Sequence, residues 1–332
     1  VSDAPYSDPV PLGHEVVGVS TLFGADGDVV GQWVKTRAPA TRIGTFDFLD
    51  AVTRHVRATV PALAPTPAPA APGLDELLNV FVWGDPHIGL LSHARETGSN
   101  FDLKIAVREL RRSGDLLVAR VPPARHALFV EVGDLWHAED NAQLTPRGKN
   151  KLDVDGRKAK ILDEGLGALR HILDLLLTTH ETVTVALVPG NHDPDMAQVT
   201  RAVLQAWYRN EPRLVVLDNA DPFLYYRFGQ NFFLMTHGDK KIPPQQLGDI
   251  MLADRPGDVG ETRHRVALTG HIHHKNVQEF RWGRWESFNS LCAPDFWHHS
   301  QGYRAARLVE AVTYHAQYGE RSRVRVTREE LA

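Results

Sequence analysis

The sequence predicts an α/β fold in which short buried strands alternate with amphipathic helices. Five short, mainly apolar runs, at residues 78–83, 127–132, 183–188, 232–236 and 266–269, suit buried strands flanked by helices on both sides. Stretches with a helical period lie between them. Each run also stops at a loop rich in Gly, Asp, Asn or His, the composition of strand ends that gather a ligand.

Taken in chain order, residues 16–36 hold two β-rich runs around Asp26-Gly27, a hairpin signal. Residues 46–56, FDFLDAVTRHV, have helical apolar spacing. This segment, 1–60, is too small to hold much core alone and is expected to pack on the body or on a domain further upstream. The chain opens with Val1, which reads as processing or truncation. Residues 61–73, PALAPTPAPAAPG, carry five prolines and can form neither a helix nor a central strand, so a semi-rigid linker is expected there. The body, 74–332, begins with the first buried strand. Residues 101–119 and 195–208 read as helices. So do residues 156–177, where Ile161, Leu162, Leu166, Leu169, Ile172, Leu173 and Leu176 fall on one face. Residues 304–327 read as β-rich with a turn near Tyr318-Gly319. No internal repeat is present.

Composition narrows the function classes. Of 332 residues, 42% are hydrophobic and 23% charged, which excludes a disordered or fibrous chain. A net charge of −4 gives no overall basic field, so nucleic acid would have to be held by a local patch. One cysteine, Cys292, excludes an intramolecular disulfide framework and a cysteine-based zinc finger, and it reads as a buried small apolar residue. No apolar run is long enough to span a membrane and no secretory signal pattern opens the chain, so a cytoplasmic protein is expected.

Seven of the 17 histidines stand where the strands stop. After the five runs come Gly84-Asp85-Pro86-His87, Gly133-Asp134-Leu135-Trp136-His137, Gly190-Asn191-His192-Asp193, His237-Gly238-Asp239 and Gly270-His271-Ile272-His273-His274. Carboxylate, amide and imidazole donors together suit Mn, Fe, Ni or Zn; a pure oxygen site for Mg or Ca would not use so many imidazoles. A bridging carboxylate can hold two ions ~3.5–4 Å apart, the spacing for in-line displacement at phosphorus.

This set resembles the calcineurin-like metallophosphoesterase superfamily over residues 78–290. The resemblance implies a four-layer αββα sandwich with two mixed sheets. It implies one ion on Asp85, His87, Asp134 and His273 and a second on Asp134, Asn191, His237 and His271. Asp134 would bridge them, and a hydroxide between the ions would attack phosphorus. His192 would assist the leaving group, and Asp193 would hold the other nitrogen of its ring. Manganese is the first expectation for both ions, with Fe, Ni or Zn as alternatives. The loop GDLWH lacks the Arg-Gly of the Ser/Thr phosphatase branch and places His137 as in the DNA-repair nucleases of the SbcD type, where that histidine aids catalysis. The layout also resembles phage and prophage metallophosphoesterases.

A basic run, Arg147, Lys149, Lys151, Arg157, Lys158 and Lys160, follows GDLWH, and Lys149, Lys151, Lys158 and Lys160 are the expected substrate contacts. The stretch Phe296-Trp297-His298-His299 could wall the cleft or stack a base. The expected function is two-metal phosphodiester hydrolysis, as a DNA nuclease. The alternatives are a phosphodiesterase or phosphatase for nucleotides or cyclic nucleotides, or a binding module without catalysis, against which the complete ligand set argues. No nucleotide-binding Gly-x-x-x-x-Gly-Lys motif is present, so an ATPase would be a partner in another chain; a homo-oligomer is equally open.

Overall fold

The computed structural model describes residues 15–37, 45–218 and 221–331. Residues 1–14 and 38–44 of the expected N-terminal segment lie outside them. The chain parts into two compact units between Asp50 and Ala51. In the first, β1 (Glu15–Phe23) and β2 (Val29–Arg37) form the expected antiparallel hairpin, and Gly27 takes the left-handed conformation its turn requires. Phe23, Val30 and Trp33 of this hairpin are exposed. Helix α1 (Thr45–Thr59) runs across the division.

The second unit is built on two mixed sheets. The six-stranded sheet runs in the order β13-β12-β3-β4-β5-β6, with β3 (Leu74–Trp83), β4 (Ala124–Glu131), β5 (Thr182–Leu187), β6 (Leu214–Val216), β12 (Leu308–His315) and β13 (Gly319–Thr327). β3 to β6 are parallel, while β12 is antiparallel to both neighbours. The five-stranded sheet runs β10-β11-β9-β8-β7, with β7 (Leu224–Phe228), β8 (Asn231–Met235), β9 (His264–Thr269), β10 (Asn276–Phe280) and β11 (Gly283–Ser287). β8, β9 and β11 are parallel, and antiparallel strands close both edges.

Alternation along β3 shows how the layers stack. Leu78, Val80 and Val82 face one way, into a core shared with Phe233, Met235, Val266 and Leu268 of the other sheet. Phe81 and Trp83 face the opposite way, onto α3 (Leu103–Arg120) and α4 (Lys158–Thr179), with α5 (Pro194–Trp207) completing that layer. Beyond the second sheet, Phe232, Leu234 and Trp285 pack against Leu247 and Met251 of α6 (Leu247–Asp254) and Val259 of α7 (Pro256–Glu261). These are the four layers of an αββα sandwich. A short α2 (Ala94–Thr97) and α8 (Phe296–Ser300) lie in loops.

A buried ion network stitches the two sheets. Glu286 of β11 and Glu310 of β12 share Lys275, at 2.7 and 2.5 Å, and Arg323 of β13, at 3.0 Å from each. Both glutamates are fully buried, and Arg284 at 2.8 Å from Glu286 and Arg325 at 2.6 Å from Glu310 complete the compensation of their charges.

Residues 61–73 form neither helix nor strand, as their prolines require. They are fastened to the second unit: Leu63 donates to the Trp207 carbonyl at 2.7 Å, Thr66 donates to Glu211 at 3.0 Å, and Arg213 donates to the Thr66 carbonyl at 2.6 Å.

Candidate metal centre

β3, β4 and β5 are parallel neighbours, as are β8 and β9, so the loops leaving them emerge at matching sheet ends. Five of the seven expected ligands have left-handed backbone: Asp85 (φ 46°), His87 (44°), Asp134 (59°), His271 (69°) and His273 (53°). Asp and His tolerate this region better than most residues, yet each still costs roughly 1–3 kcal/mol unless its surroundings hold it there. Neighbouring hydrogen bonds do so. Both Asp85 oxygens accept the His271 N–H at 2.9 Å, and Asp134 Oδ1 accepts the His192 N–H at 2.8 Å.

The loop glycines give room where backbone meets ligand. A Cβ on Gly190 would lie 2.0 Å from Asp134 Oδ1, and one on Gly270 would lie 2.5 Å from Asp85 Oδ2.

Two donor clusters share one oxygen. In the first, His87 Nε2 and His273 Nε2 are 3.2 Å apart, His273 Nε2 is 3.4 Å from Asp85 Oδ1, and His87 Nε2 is 3.9 Å from Asp134 Oδ2. In the second, His237 Nε2 is 3.1 Å from the same Asp134 Oδ2 and 3.0 Å from Asn191 Oδ1, with His271 alongside. Donors bonded to one ion at ~2.0–2.2 Å lie roughly 3–3.5 Å from each other, so most of these separations fit coordination edges. His237 Nδ1 donates to the Val132 carbonyl at 2.8 Å, which fixes the ring and leaves Nε2 to face Asp134.

The electrostatics ask for cations. Asp85 and Asp134 are buried, at 0% and 2% exposure, where an uncompensated carboxylate is expensive. Burial disfavours charge on His237, but Asp134 outweighs it and raises the ring to about 10. Burial likewise opposes the Asp134 charge, and the His237 cation overcomes it, holding that carboxyl well below its usual range. Burial and then the neighbouring His192 push His87 down, toward the neutral form that can ligate. The residues fit a pair of divalent ions.

Around this set the structure redistributes the expected roles. His192 packs edge-on to His87, ring centroids 4.8 Å apart, and its Nδ1 lies 2.8 Å from the His137 carbonyl, which leaves Nε2 as its free nitrogen. That carbonyl takes the place expected for Asp193. The Asp193 carboxylate turns into the protein and accepts from the Trp136 and Gly190 N–H groups, both at 3.0 Å. It thus ties two ligand-bearing loops together, and burial and the Asp134 charge push it up to about 7. His137 is 2% exposed and sits behind His87, with their Nδ1 atoms 3.2 Å apart. Its ring also lies against His192, centroids 5.5 Å apart, so it touches both an expected ligand and the expected proton donor.

The basic run does not assemble as one patch. Lys158 donates Nζ to the Ala138 carbonyl and lies over the Trp136 ring, so the expectation that it grips substrate does not hold. Lys149, Lys151 and Lys160 are exposed. Lys160 joins Lys104, Arg108, Arg111 and Arg112 along a groove of 740 Å³ between α3 and α4, where the five cations outnumber the two carboxylates, Asp115 and Glu164. The sequence reading missed this groove because the α3 cations stand three and four apart within a helix and read as a solvated face.

Three further residues lie close to this set: Glu139, which carries no signal in the sequence, His298, from the stretch expected to wall the cleft, and Cys292, expected as a buried apolar residue. Glu139 accepts from the Met196 N–H at 2.8 Å and the Asp195 N–H at 3.3 Å, capping α5 from the GDLWH side. His298 stacks on the expected ligand His273, ring centroids 4.8 Å apart, and its Nδ1 lies 2.8 Å from Asp295 Oδ1. Cys292 lies beside His87 and His273.

The sequence matches no protein-family profile and no curated protein. Solved structures give distant likenesses. A Streptococcus pneumoniae protein described as a predicted phosphoesterase is 15% identical, with 76% of this chain and 91% of that one covered and a TM-score of 0.34. A novel archaeal phosphodiesterase is 10% identical, covering 75% and 99%, with a TM-score of 0.37. Zinc-complexed Vps29 from Entamoeba histolytica is 14% identical, covering 75% and 99%, with a TM-score of 0.29. Likeness at this level carries no argument about activity, which rests on the chain's own residues.

Proposed function

We propose that the protein is a metal-dependent phosphodiesterase of the calcineurin-like type and that its substrate is nucleic acid, DNA first. The observation that carries this reading is one buried oxygen, Asp134 Oδ2, shared by two donor clusters, with His192 beside them. A pair of divalent ions held there, manganese or another transition metal, would neutralise phosphoryl oxygens and lower the pKa of an attacking water.

The chain's own groups do the rest. The Asp134 carboxylate, fixed by the His192 N–H, keeps the two clusters in register. His192 is itself fixed at Nδ1 by the His137 carbonyl, so it can move a proton only at Nε2, toward a leaving oxygen. His137 and Asp193 act from behind, one on the His87 ring and one on the loop backbone.

The groove supports a polymeric substrate. α3 begins next to the site, where Phe101 and Ala106 share a small core with Cys292 and Ala293. α4 begins where Lys158 meets Ala138, next to His137. A strand leaving the site would therefore pass Lys104 and Lys160 first and then Arg108 and Arg112, an electrostatic path for phosphates. Lys149 and Lys151 remain proposed contacts on the adjoining loop.

The test is a panel with added manganese: single-stranded, linear and nicked DNA, RNA, bis-p-nitrophenyl phosphate and p-nitrophenyl phosphate. The diester is expected to turn over faster than the monoester, and DNA faster than either. Faster turnover of the monoester would sink the diesterase reading. Turnover of the small diester without DNA cleavage would leave the small-molecule alternative.

A further inference from the structure

We propose that Cys292 is a sulfur ligand of the ion held by Asp85, His87 and His273, so that this half of the centre is built for zinc or cobalt over manganese. The inference rests on the two-ion reading above and adds a donor which that reading does not contain. The Cys292 sulfur and the ring nitrogens of His87 and His273 all lie within 4.8 Å of one another. The two imidazoles are already at coordination spacing, 3.2 Å, so the sulfur stands beside a formed pair of donors. Cys292 is 5% exposed, which places the thiol where water does not compete for the ion.

The loop carrying Cys292 is fixed to the loop carrying the other ligands. Ser290 Oγ donates to the Asp85 carbonyl at 2.6 Å and accepts the Cys292 N–H at 2.9 Å. Ser290 also forms a bridge with Gly84, immediately before Asp85. The backbone of Cys292 is thus set by the same turn that sets Asp85 and His87. Its side chain stands at the edge of a small core of Leu90, Phe101, Ala106 and Ala293, with the imidazoles nearby.

The chemistry follows from the donor. A thiol that binds a divalent ion gives up its proton to solvent and binds as thiolate. Thiolate is a soft donor, which favours zinc and cobalt relative to manganese or magnesium at the same site.

The experiment is cobalt titration of the metal-free full chain, followed by absorption and by elemental analysis. The wild-type protein is expected to take up two cobalt ions and to show a sulfur-to-cobalt charge-transfer band in the near ultraviolet. Cys292→Ser is expected to take up two ions, keep the visible ligand-field bands and lose the ultraviolet band. It should also lose zinc affinity by a larger factor than manganese affinity. Two bound cobalt ions without the band in wild type would overturn the sulfur ligand and leave the two-ion centre standing. No cobalt uptake would overturn both. Should Cys292→Ser fail to fold, the wild-type spectrum decides alone, because the chain has one cysteine.

Discussion

Replacing Gly190 by alanine tests whether Asp134 must sit where it does. An alanine Cβ there would meet Asp134 Oδ1 at 2.0 Å and the Asp134 backbone nitrogen at 2.2 Å. Unstrained contacts between such atoms need well over 3 Å, so either the carboxylate or the GNHD loop must shift by about 1 Å. Gly190 is not in the left-handed region, so the effect is steric and not conformational. Metal–ligand distances tolerate about 0.2 Å, and a displacement near 1 Å can lower turnover about 10²-fold. Stability should fall by about 1–3 kcal/mol, as for other overpacked sites. The assay is metal content by elemental analysis together with turnover of bis-p-nitrophenyl phosphate. Loss of one or both ions and a rate near one hundredth of wild type are expected, with native circular dichroism. Gly257→Ala and Gly260→Ala in α7 serve as controls, because a Cβ at either meets nothing within 4 Å. Gly190→Ala with two ions and a wild-type rate would refute the claim that Asp134 is the shared ligand.

Changing Lys104, Arg108 and Lys160 together to serine should weaken DNA binding and flatten its salt dependence by about one unit of slope for each phosphate no longer neutralised. Turnover of the small diester should stay unchanged, and an equal fall on both substrates would move DNA out of the groove. Glu139 gives a pH effect: burial and then the Asp193 charge push its carboxyl up to about 8. Because the folded value lies above the unfolded one, folding takes up a proton between about pH 4.5 and 8 and stability falls as pH rises through that window. Glu139→Gln should therefore flatten the decline of Tm over that range in metal-free protein, and an unchanged slope would contradict the buried neutral carboxyl.

The buried strands were legible because both of their faces are covered. A run such as residues 78–83 has one polar residue, Asn79, which is itself buried, and β3 contributes to the cores on both sides of its sheet. Short strands and strands with a polar face were not legible. β6 has three residues, and β10 and β11 meet around Gly283 with polar residues on their outer face, so neither composition nor alternation separates them from loops. The expected ligands were readable because each follows a buried strand directly, so a one-dimensional pattern already encodes their convergence. Cys292 and Glu139 carry no such signal. Each acts through a partner more than fifty residues away, as Glu139 does on the first turn of α5. For Asp193 the resemblance implies a hold on the His192 ring, whereas at the N-cap of α5 its carboxylate accepts from the Trp136 and Gly190 N–H groups.

The five left-handed ligands tie the centre to stability as well as to chemistry. At roughly 1–3 kcal/mol each, their backbone strain together is on the order of 5 kcal/mol even at the low end. That is comparable with the whole net stability of a typical domain, about 5–15 kcal/mol. The burial of Asp85 and Asp134 adds to the load. Without ions, the main offsets in view are the protons that Asp134 draws onto His237 and Asp85 draws onto His273, each against the burial of its ring. Ions that bind the folded state alone return stability as the logarithm of their concentration over Kd, about 4 kcal/mol at a thousandfold excess. Chelation should therefore lower Tm markedly, and added zinc, cobalt or manganese should restore it in proportion to the logarithm of free metal. Differential scanning calorimetry across a metal series measures this. A Tm that stays constant while elemental analysis shows both ions gone would mean that the strained loops are held by the protein alone, and that the backbone at Asp85, His87, Asp134, His271 and His273 says nothing about metal.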